Sequence, residues 1–477
     1  MAKNISILNA LEKEIDRQLA KLPDDAIHAG AAVMKKRCLA GYLRIGKKMA
    51  EIGHPEDSLP TFRKALQLQP DDPDANYQFL FKLEKLNRID EAWSALQVFE
   101  DKYSLPTPLY SISKKLYILK ARLEYRKGNT GASRNMLEKF LKENPVHSHR
   151  AMACGWLGKM LDSLGEYDLA MKAFHEYNLI VSGTPVAVEM IRKNNAALAD
   201  IETSLRWYGD KASFGWQGPM VRDYFPQPIV LVGFPRSGTT LLDQILNSHS
   251  ALTTIEEKST LANIAKRFYG SQEKLESLYA LSGNELSACR QTYWSNATGF
   301  LEKPLNNSRL VDKLPLNIML LDIYARLFPE VKIIVALRDP RDVVLSNYMQ
   351  MYQLTPEMAA NLTLIGSTKY YAKVMQLYLL FRKFMPGNIH EIRYEDLVCD
   401  IKGESIKLLG FLGLEWECCL ESYYGSAKDR YINTPSYDQV TKPIYHDAIG
   451  RWKNYERHLE EIKPILLPFV EAFGYSA

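Results

Sequence analysis

Cysteine is scarce and scattered in this 477-residue chain: Cys38, Cys154, Cys289, Cys399, Cys418 and Cys419, with no C-x-x-C pair. That spacing argues against a disulfide framework, a zinc ribbon or thioredoxin chemistry, and a reducing cytoplasm is the expected compartment. No apolar run approaches the roughly 18 residues that a membrane span needs. The opening Met1-Ala-Lys-Asn-Ile5 leads into no apolar h-region, so no secretory signal is expected. Strong net charge is missing too. Lys and Arg number 60 against 56 Asp and Glu, leaving +4, which admits anionic ligands but supplies no nucleic-acid coat.

What remains is an ordinary folded composition, 46% hydrophobic and 24% charged, in a chain long enough for two or three domains. Its most informative stretch lacks one residue as well. Val230-Leu-Val-Gly233-Phe-Pro-Arg236-Ser237-Gly238-Thr239-Thr240-Leu-Leu242 reads as a buried strand, a tight turn and a helix start. Backbone N–H groups of such a turn, with the open helix end, cradle a phosphate. The pattern resembles a P-loop, G-x-x-x-x-G-K-[ST], but Thr239 stands where the lysine belongs. An ordinary ATPase or GTPase is thereby disfavoured. The expectation is a phosphate loop for a differently shaped nucleotide, with Arg236 as its cation; a plain turn between strand and helix is the alternative.

The first part of the chain repeats itself. Gly53, Ser58, Phe62, Ala65 and Pro70 are followed by Asn87, Ala92, Leu96 and Phe99, then Gly128, Ser133, Leu137, Phe140 and Pro145, then Gly165, Ala170, Phe174 and Tyr177. Ser58 and Ala92 lie 34 positions apart, and Ser133 and Ala170 lie 37 apart. Each copy holds a helical pair with small residues at the crossing. The period resembles the tetratricopeptide repeat. The Asn87 copy departs from it, with Asn for the usual Gly and no closing Pro. Stacked units form a curved surface that binds a protein, meets a second copy of the chain, or supports the next domain. An all-α repeat superhelix is therefore expected over 1–185.

Residues 186–227 read as a helical linker and approach, with Gly215-Trp-Gln-Gly-Pro219 and Pro226-Gln-Pro228 delimiting the following strand. From 228 to 477 the pattern predicts an α/β domain with a central parallel sheet. Ile229 to Val232 is one buried strand and Val331 to Leu337 another, the latter ending in Arg338-Asp-Pro-Arg341-Asp342 before a helix. Polar residues at the carboxyl ends of such strands are where ligands bind.

Two segments carry a family resemblance. Pro235-Arg-Ser-Gly-Thr-Thr-Leu-Leu242 looks like the 5′-phosphosulfate loop of sulfotransferases that use 3′-phosphoadenosine 5′-phosphosulfate (PAPS). Arg338-Asp-Pro-Arg-Asp-Val-Val-Leu-Ser346 looks like their 3′-phosphate site. The resemblance runs over roughly 225–455 and points to protein-tyrosine sulfotransferases and their repeat-containing relatives. It implies that Arg236, Ser237, Gly238, Thr239 and Thr240 hold the 5′-phosphate and sulfonate, with Arg236 also balancing transition-state charge. The catalytic base matches Glu257, beside Glu256. Lys313, in Leu310-Val-Asp-Lys-Leu-Pro315, matches the lysine at the bridging oxygen. Arg338 and Ser346 match the 3′-phosphate ligands, and Tyr394 a nucleotide contact. Ser436-Tyr-Asp-Gln439-Val-Thr-Lys442-Pro443 resembles a further family segment, with Ser436 catalytic and Gln439 and Lys442 on the cofactor. Arg451 takes the place of a late nucleotide-binding Lys, and Gln350 that of a basic contact.

The chemistry suits these residue types. Sulfonate transfer needs a hydroxyl nucleophile, a base, and cations at the oxygens that gain charge. Arg and Lys neutralise the leaving phosphate of PAPS, so 3′-phosphoadenosine 5′-phosphate (PAP) departs and no metal is required. His249 and Asp312 are rival candidates: His249 as a cap or packing residue, Asp312 as a group that orients Lys313 or closes a turn. Tyr423, Tyr424, Tyr431, Tyr437 and Tyr445 either line an acceptor pocket or pack a core. The resemblance favours a protein or peptide tyrosine as acceptor. The absence of a signal favours a cytoplasmic small molecule, lipid or saccharide. A non-catalytic repeat adaptor with a nucleotide-binding domain is the alternative from another class, and an unusual kinase is disfavoured by Thr239.

Overall fold

A computed structural model describes residues 2–20, 29–52, 56–102, 113–143, 149–210, 223–301, 303–385, 387–422 and 448–476. The chain forms two compact units, Met1–Tyr177 and Asn178–Ala477.

The first unit is all-helical among its described residues. After helices Ala2–Leu19, Ala29–Glu51 and Ser58–Leu68 come three hairpins. They pair Pro73–Lys85 with Ile89–Lys102, Lys114–Arg126 with Thr130–Glu143, and Arg150–Ser163 with the part of Tyr167–Ser182 up to Tyr177. The small and aromatic positions of the sequence pattern face inward: Ser58, Phe62, Ala92, Leu96, Ser133, Phe140, Ala170 and Phe174 are all buried. Each hairpin turns at one residue in the left-handed region, Asn87 (φ 58°), Gly128 (φ 89°) and Gly165 (φ 77°). The next N–H then reaches back into the helix, Arg88 to Leu83 O, Asn129 to Glu124 O and Glu166 to Leu161 O, each at 2.9 Å. This is the helix-ending pattern in which Asn substitutes for Gly, because its short polar side chain tolerates positive φ. The copy that departs most in sequence makes the same turn.

The second unit is built on a parallel sheet of order β2-β3-β1-β4-β5. Its strands are β1 (Ile229–Gly233), β2 (Leu252–Glu256), β3 (Arg309–Lys313), β4 (Lys332–Leu337) and β5 (Ile389–Arg393). β1 is buried along its whole length between β3 and β4, as a near-continuous apolar run in a parallel sheet should be. Helix Thr239–Asn247 returns over the sheet and packs Leu241, Leu242, Ile245 and Leu246 onto Ile229, Leu231 and Val311. Helix Pro185–Gly209 is capped by the Thr184 side chain and packs on helix Leu364–Phe384. The six cysteines are free thiols, with Cys38, Cys154 and Cys289 buried. Among the described residues no helix is long and apolar enough to cross a membrane.

Candidate active site

All five strands deliver a polar group at their carboxyl ends. β1 opens into the loop 234–238, β2 ends in Glu256, β3 ends in Lys313, β4 is followed by Arg338, and β5 by Tyr394. Register aligns the ends: Glu256 stands opposite Lys313, and Gly233 opposite Ala336. This edge is the standard ligand crevice of an open parallel sheet.

The loop is tightly specified. A Cβ on Gly233 would lie 2.6 Å from the Ala336 carbonyl oxygen, and one on Gly238 (φ 95°) would lie 2.7 Å from the Tyr394 ring. Gly238 precedes the helix Thr239–Asn247, whose first-turn N–H groups point toward the loop. Ser237, Thr239 and Thr240 are buried there. Arg236 adopts φ 73°, a left-handed conformation that an Arg takes only when its surroundings hold it. Its Nε donates to Ser346 Oγ at 3.0 Å, and its carbonyl accepts from Arg338 Nη1 at 3.2 Å. Asn347 ties the loop to the helix Pro340–Tyr348 by donating to Pro235 O at 2.9 Å.

Arg338, Arg236 and Ser346 thus meet, although Arg236 and Ser346 are 110 positions apart. The Arg338 guanidinium lies 4.9 Å from the centroid of Tyr394, and its Nη2 donates to Ala448 O. Arg451 reaches the same neighbourhood, with Nη2 3.4 Å from Met349 Sδ. Gln350 follows the helix Pro340–Tyr348, its N–H bonded to Asn347 O at 3.1 Å. Ser436, Gln439, Lys442 and the tyrosines of 423–445 lie outside the described residues.

At the other end of the crevice, Lys313 is wholly buried, with Nζ 3.0 Å from Glu257 Oε1 and 3.2 Å from Glu256 Oε1. Burial by itself would depress the ammonium, but Glu256, Glu257 and Asp243 outweigh it and hold Lys313 above its ordinary pKa. Glu257 also stands at positive φ (51°), and its N–H donates to Lys313 O at 2.7 Å. The side chain of Glu257 is 36% exposed against 9% for Glu256, so Glu257 is the carboxylate that an incoming molecule can reach.

Two rival candidates are placed elsewhere. His249 Nε2 sits 2.9 Å from Glu415 O, and its Nδ1 accepts from Ala251 N at 3.1 Å, a packing role. The expectation that Asp312 orients Lys313 or closes a turn is corrected. Successive strand residues face opposite sides of a sheet, and Asp312 points away from Lys313 to accept from Thr260 Oγ1 (2.6 Å), Tyr293 OH (2.9 Å) and Tyr324 OH (2.9 Å).

Three further groups escaped the sequence reading. Asp243 lies one helical turn beyond Thr239, a spacing that pattern alone could have flagged. Tyr352 donates to Asn347 Oδ1 at 2.7 Å; burial raises its phenol pKa, with Arg236 opposing and Glu257 reinforcing the shift. Asp342, buried beside Arg338, is pushed up to about 6 by burial against the pull of that Arg.

Residues 228–418 match the model of the sulfotransferase family. An uncharacterised protein of Aquifex aeolicus (strain VF5) is 26% identical over 405 residues, 82% of this chain and 51% of that protein. The protein-tyrosine sulfotransferase of Drosophila melanogaster is 24% identical over 262 residues, 50% of each chain. The chain therefore spans about half the length of these two relatives. Among solved structures, the sulfotransferase domain from the curacin biosynthetic pathway is 22% identical, with a TM-score of 0.39 over 53% of this chain and 99% of that one.

Proposed function

We propose, from the premise that this chain is a sulfotransferase-family enzyme by the match of its residues 228–418, that it transfers a sulfonate group from PAPS to an acceptor hydroxyl. The observation that carries this reading is the juxtaposition at the sheet's carboxyl edge. A glycine-bounded loop with Arg236 and Ser346 stands at one end, and a buried lysine with a reachable carboxylate at the other.

The residues present fit such a donor. Among the described residues, Nε of the buried Arg338 has no hydrogen-bond partner, leaving a cationic donor ready for an anion. Gly238 lets the loop backbone pack directly against the ring of Tyr394, where a Cβ would come within 2.7 Å of it. Bound PAPS would supply an activated sulfonate on a phosphate leaving group. Arg338, Ser346 and Arg451 are assigned to the 3′-phosphate, and the 236–240 loop to the 5′ end. The Glu257 carboxylate, whose Oε1 is held by Lys313, is assigned to take the acceptor's hydroxyl proton; a carboxylate base of this kind contributes about 10²–10⁴-fold. Lys313 and Arg236 hold positive charge at the edge where negative charge grows. Among the described residues no cluster of His, Cys, Asp and Glu is arranged to hold a metal.

The acceptor is a hydroxyl-bearing molecule, and a small molecule, lipid or saccharide is its first reading. A protein or peptide tyrosine is the second, favoured by similarity to protein-tyrosine sulfotransferases over about half the chain. The helical hairpins are read as tetratricopeptide-like repeats, supported by the 34-residue spacing of the first two copies, and they offer a surface for a polypeptide or a second copy. Calorimetric titration with PAP against ATP tests the donor. Micromolar PAP binding with much weaker ATP binding is expected, followed by sulfonated product from PAPS. A folded protein that ignores PAP would return the chain to the adaptor reading.

A further inference from the structure

Residues 448–452 are held at the candidate 3′-phosphate site by three side chains from the turn and helix that follow β4. Arg338 Nη2 donates to Ala448 O. The Arg341 guanidinium lies 3.8 Å from the Trp452 ring centroid. Asp342, only 2% exposed, accepts from both sides of Arg451: Gly450 N donates to Oδ2 at 2.8 Å, and Trp452 N to Oδ1 at 2.7 Å. Two N–H groups separated by one residue converge on one carboxylate because Gly450 takes a left-handed φ of 66°. This is the backbone concavity that binds anions, here filled by a side chain.

The helix face decides what this clamp does. Asp342, Ser346 and Met349 follow one another at spacings of four and three, so they line one side of the helix Pro340–Tyr348 and its cap. Ser346 meets Arg236, Met349 meets Arg451, and Asp342 Oδ2 stands 3.9 Å from Arg338 Nη2. The clamped backbone therefore runs along the face that gathers these cations. We propose that Asp342 is a positioning residue for donor binding: by gripping the amides of Gly450 and Trp452 it fixes Arg451 beside Arg338, and so sets affinity for the nucleotide's 3′-phosphate. The inference rests on the PAPS reading of the same site. Asp342 touches no ligand in this scheme and acts through Arg451.

The test compares two nucleotides on the full chain by calorimetry: PAP, which carries the 3′-phosphate, and adenosine 5′-phosphate, which lacks it. In Asp342→Asn an amide NH₂ faces one of the two N–H donors. PAP affinity should fall by about 10- to 100-fold, the loss typical of a hydrogen bond to a charged group. Adenosine 5′-phosphate affinity should stay within about twofold, since no part of it meets the clamp. Arg451→Ala should show the same selective loss, and Asp342→Asn should add nothing in that background. Asp342→Glu covers failure of the Asn variant to fold: it keeps the charge but displaces the carboxylate from one amide, and should give the same selective loss.

Equal losses for both nucleotides, or losses that multiply in the double variant, would overturn the assignment. So would a wild type that prefers PAP while Asp342→Asn prefers it equally. A wild type that binds the two nucleotides alike would instead sink the donor reading, and this inference with it.

Discussion

Buried charge is treated differently in the two units. In the helical unit the carboxylate of Glu84 is wholly buried and meets Arg122 and Arg126. Arg122 is flanked by Phe81 and Trp156, with ring centroids 5.2 and 4.3 Å away. The cluster joins neighbouring hairpins and lies on regular helices. In the sheet unit one buried lysine answers Glu256, Glu257 and Asp243 at the open ends of strands, where Arg236 and Glu257 both hold left-handed backbone. A buried ion pair is thus no sign of chemistry by itself. Position at the carboxyl edge of a parallel sheet, with conformations that the surroundings must enforce, is what separates the second cluster from the first.

The sharpest way to break this comparison is at Glu257. Glu257→Ala should lower sulfonated product formation by about 10²–10⁴-fold while calorimetry finds PAP affinity unchanged. Undiminished turnover would reject Glu257 as the base and make the two clusters alike. The counterpart is Arg122→Met, which strands Glu84 with part of its compensation. Urea unfolding should record a loss of about 3–5 kcal/mol, with no change in PAP affinity. A large change in nucleotide binding there would dissolve the division between structural and functional charge.

A smaller effect separates paired from merely buried acids. Asp322 accepts from Tyr208 OH at 2.6 Å, yet burial pushes it up to about 6. Its folded pKa is raised above the unfolded value near 3.8, so the folded state binds the proton more tightly. Stability therefore falls as pH rises from about 4 to about 6, by about 3 kcal/mol for this group. Asp322→Asn should flatten that part of the profile in urea unfolding at a series of pH values; Asp342, displaced the same way, leaves a residual slope. An unchanged slope would mean that Asp322 titrates normally.

The smallest effect concerns the hairpin turns. Asn87→Gly should leave stability within about 0.5 kcal/mol, since Gly accepts the left-handed φ freely. Asn87→Ala should cost about 1–2 kcal/mol more than Asn87→Gly, from positive φ alone, since both variants lose the bond from Arg126 Nη2. Equal melting of the two would show that the turn does not depend on that conformation.

Much of the site was readable along the chain because its pieces are short and contiguous. The apolar run into Gly233, the loop through Gly238 and the run into Arg338 each state their own local structure. The helical first part was legible for the same reason, since its small and aromatic positions recur at intervals of 34, 41 and 37 residues. Asn87 looked like a defect only because the pattern names Gly, while the physical demand is for positive φ. Asp312 departs from its expected role because adjacent strand residues face opposite ways.

The sequence by itself determined the helical first part, the strand–loop–helix of the second, and the residue types at the strand ends, because propensity and periodicity act over a few neighbours. Only the tertiary structure decided which carboxylates share Lys313, and which of them is the more exposed. It also decided that Asp342 grips a segment 108 residues further on. Those pairings depend on sheet register and on how distant segments pack, which no local pattern encodes.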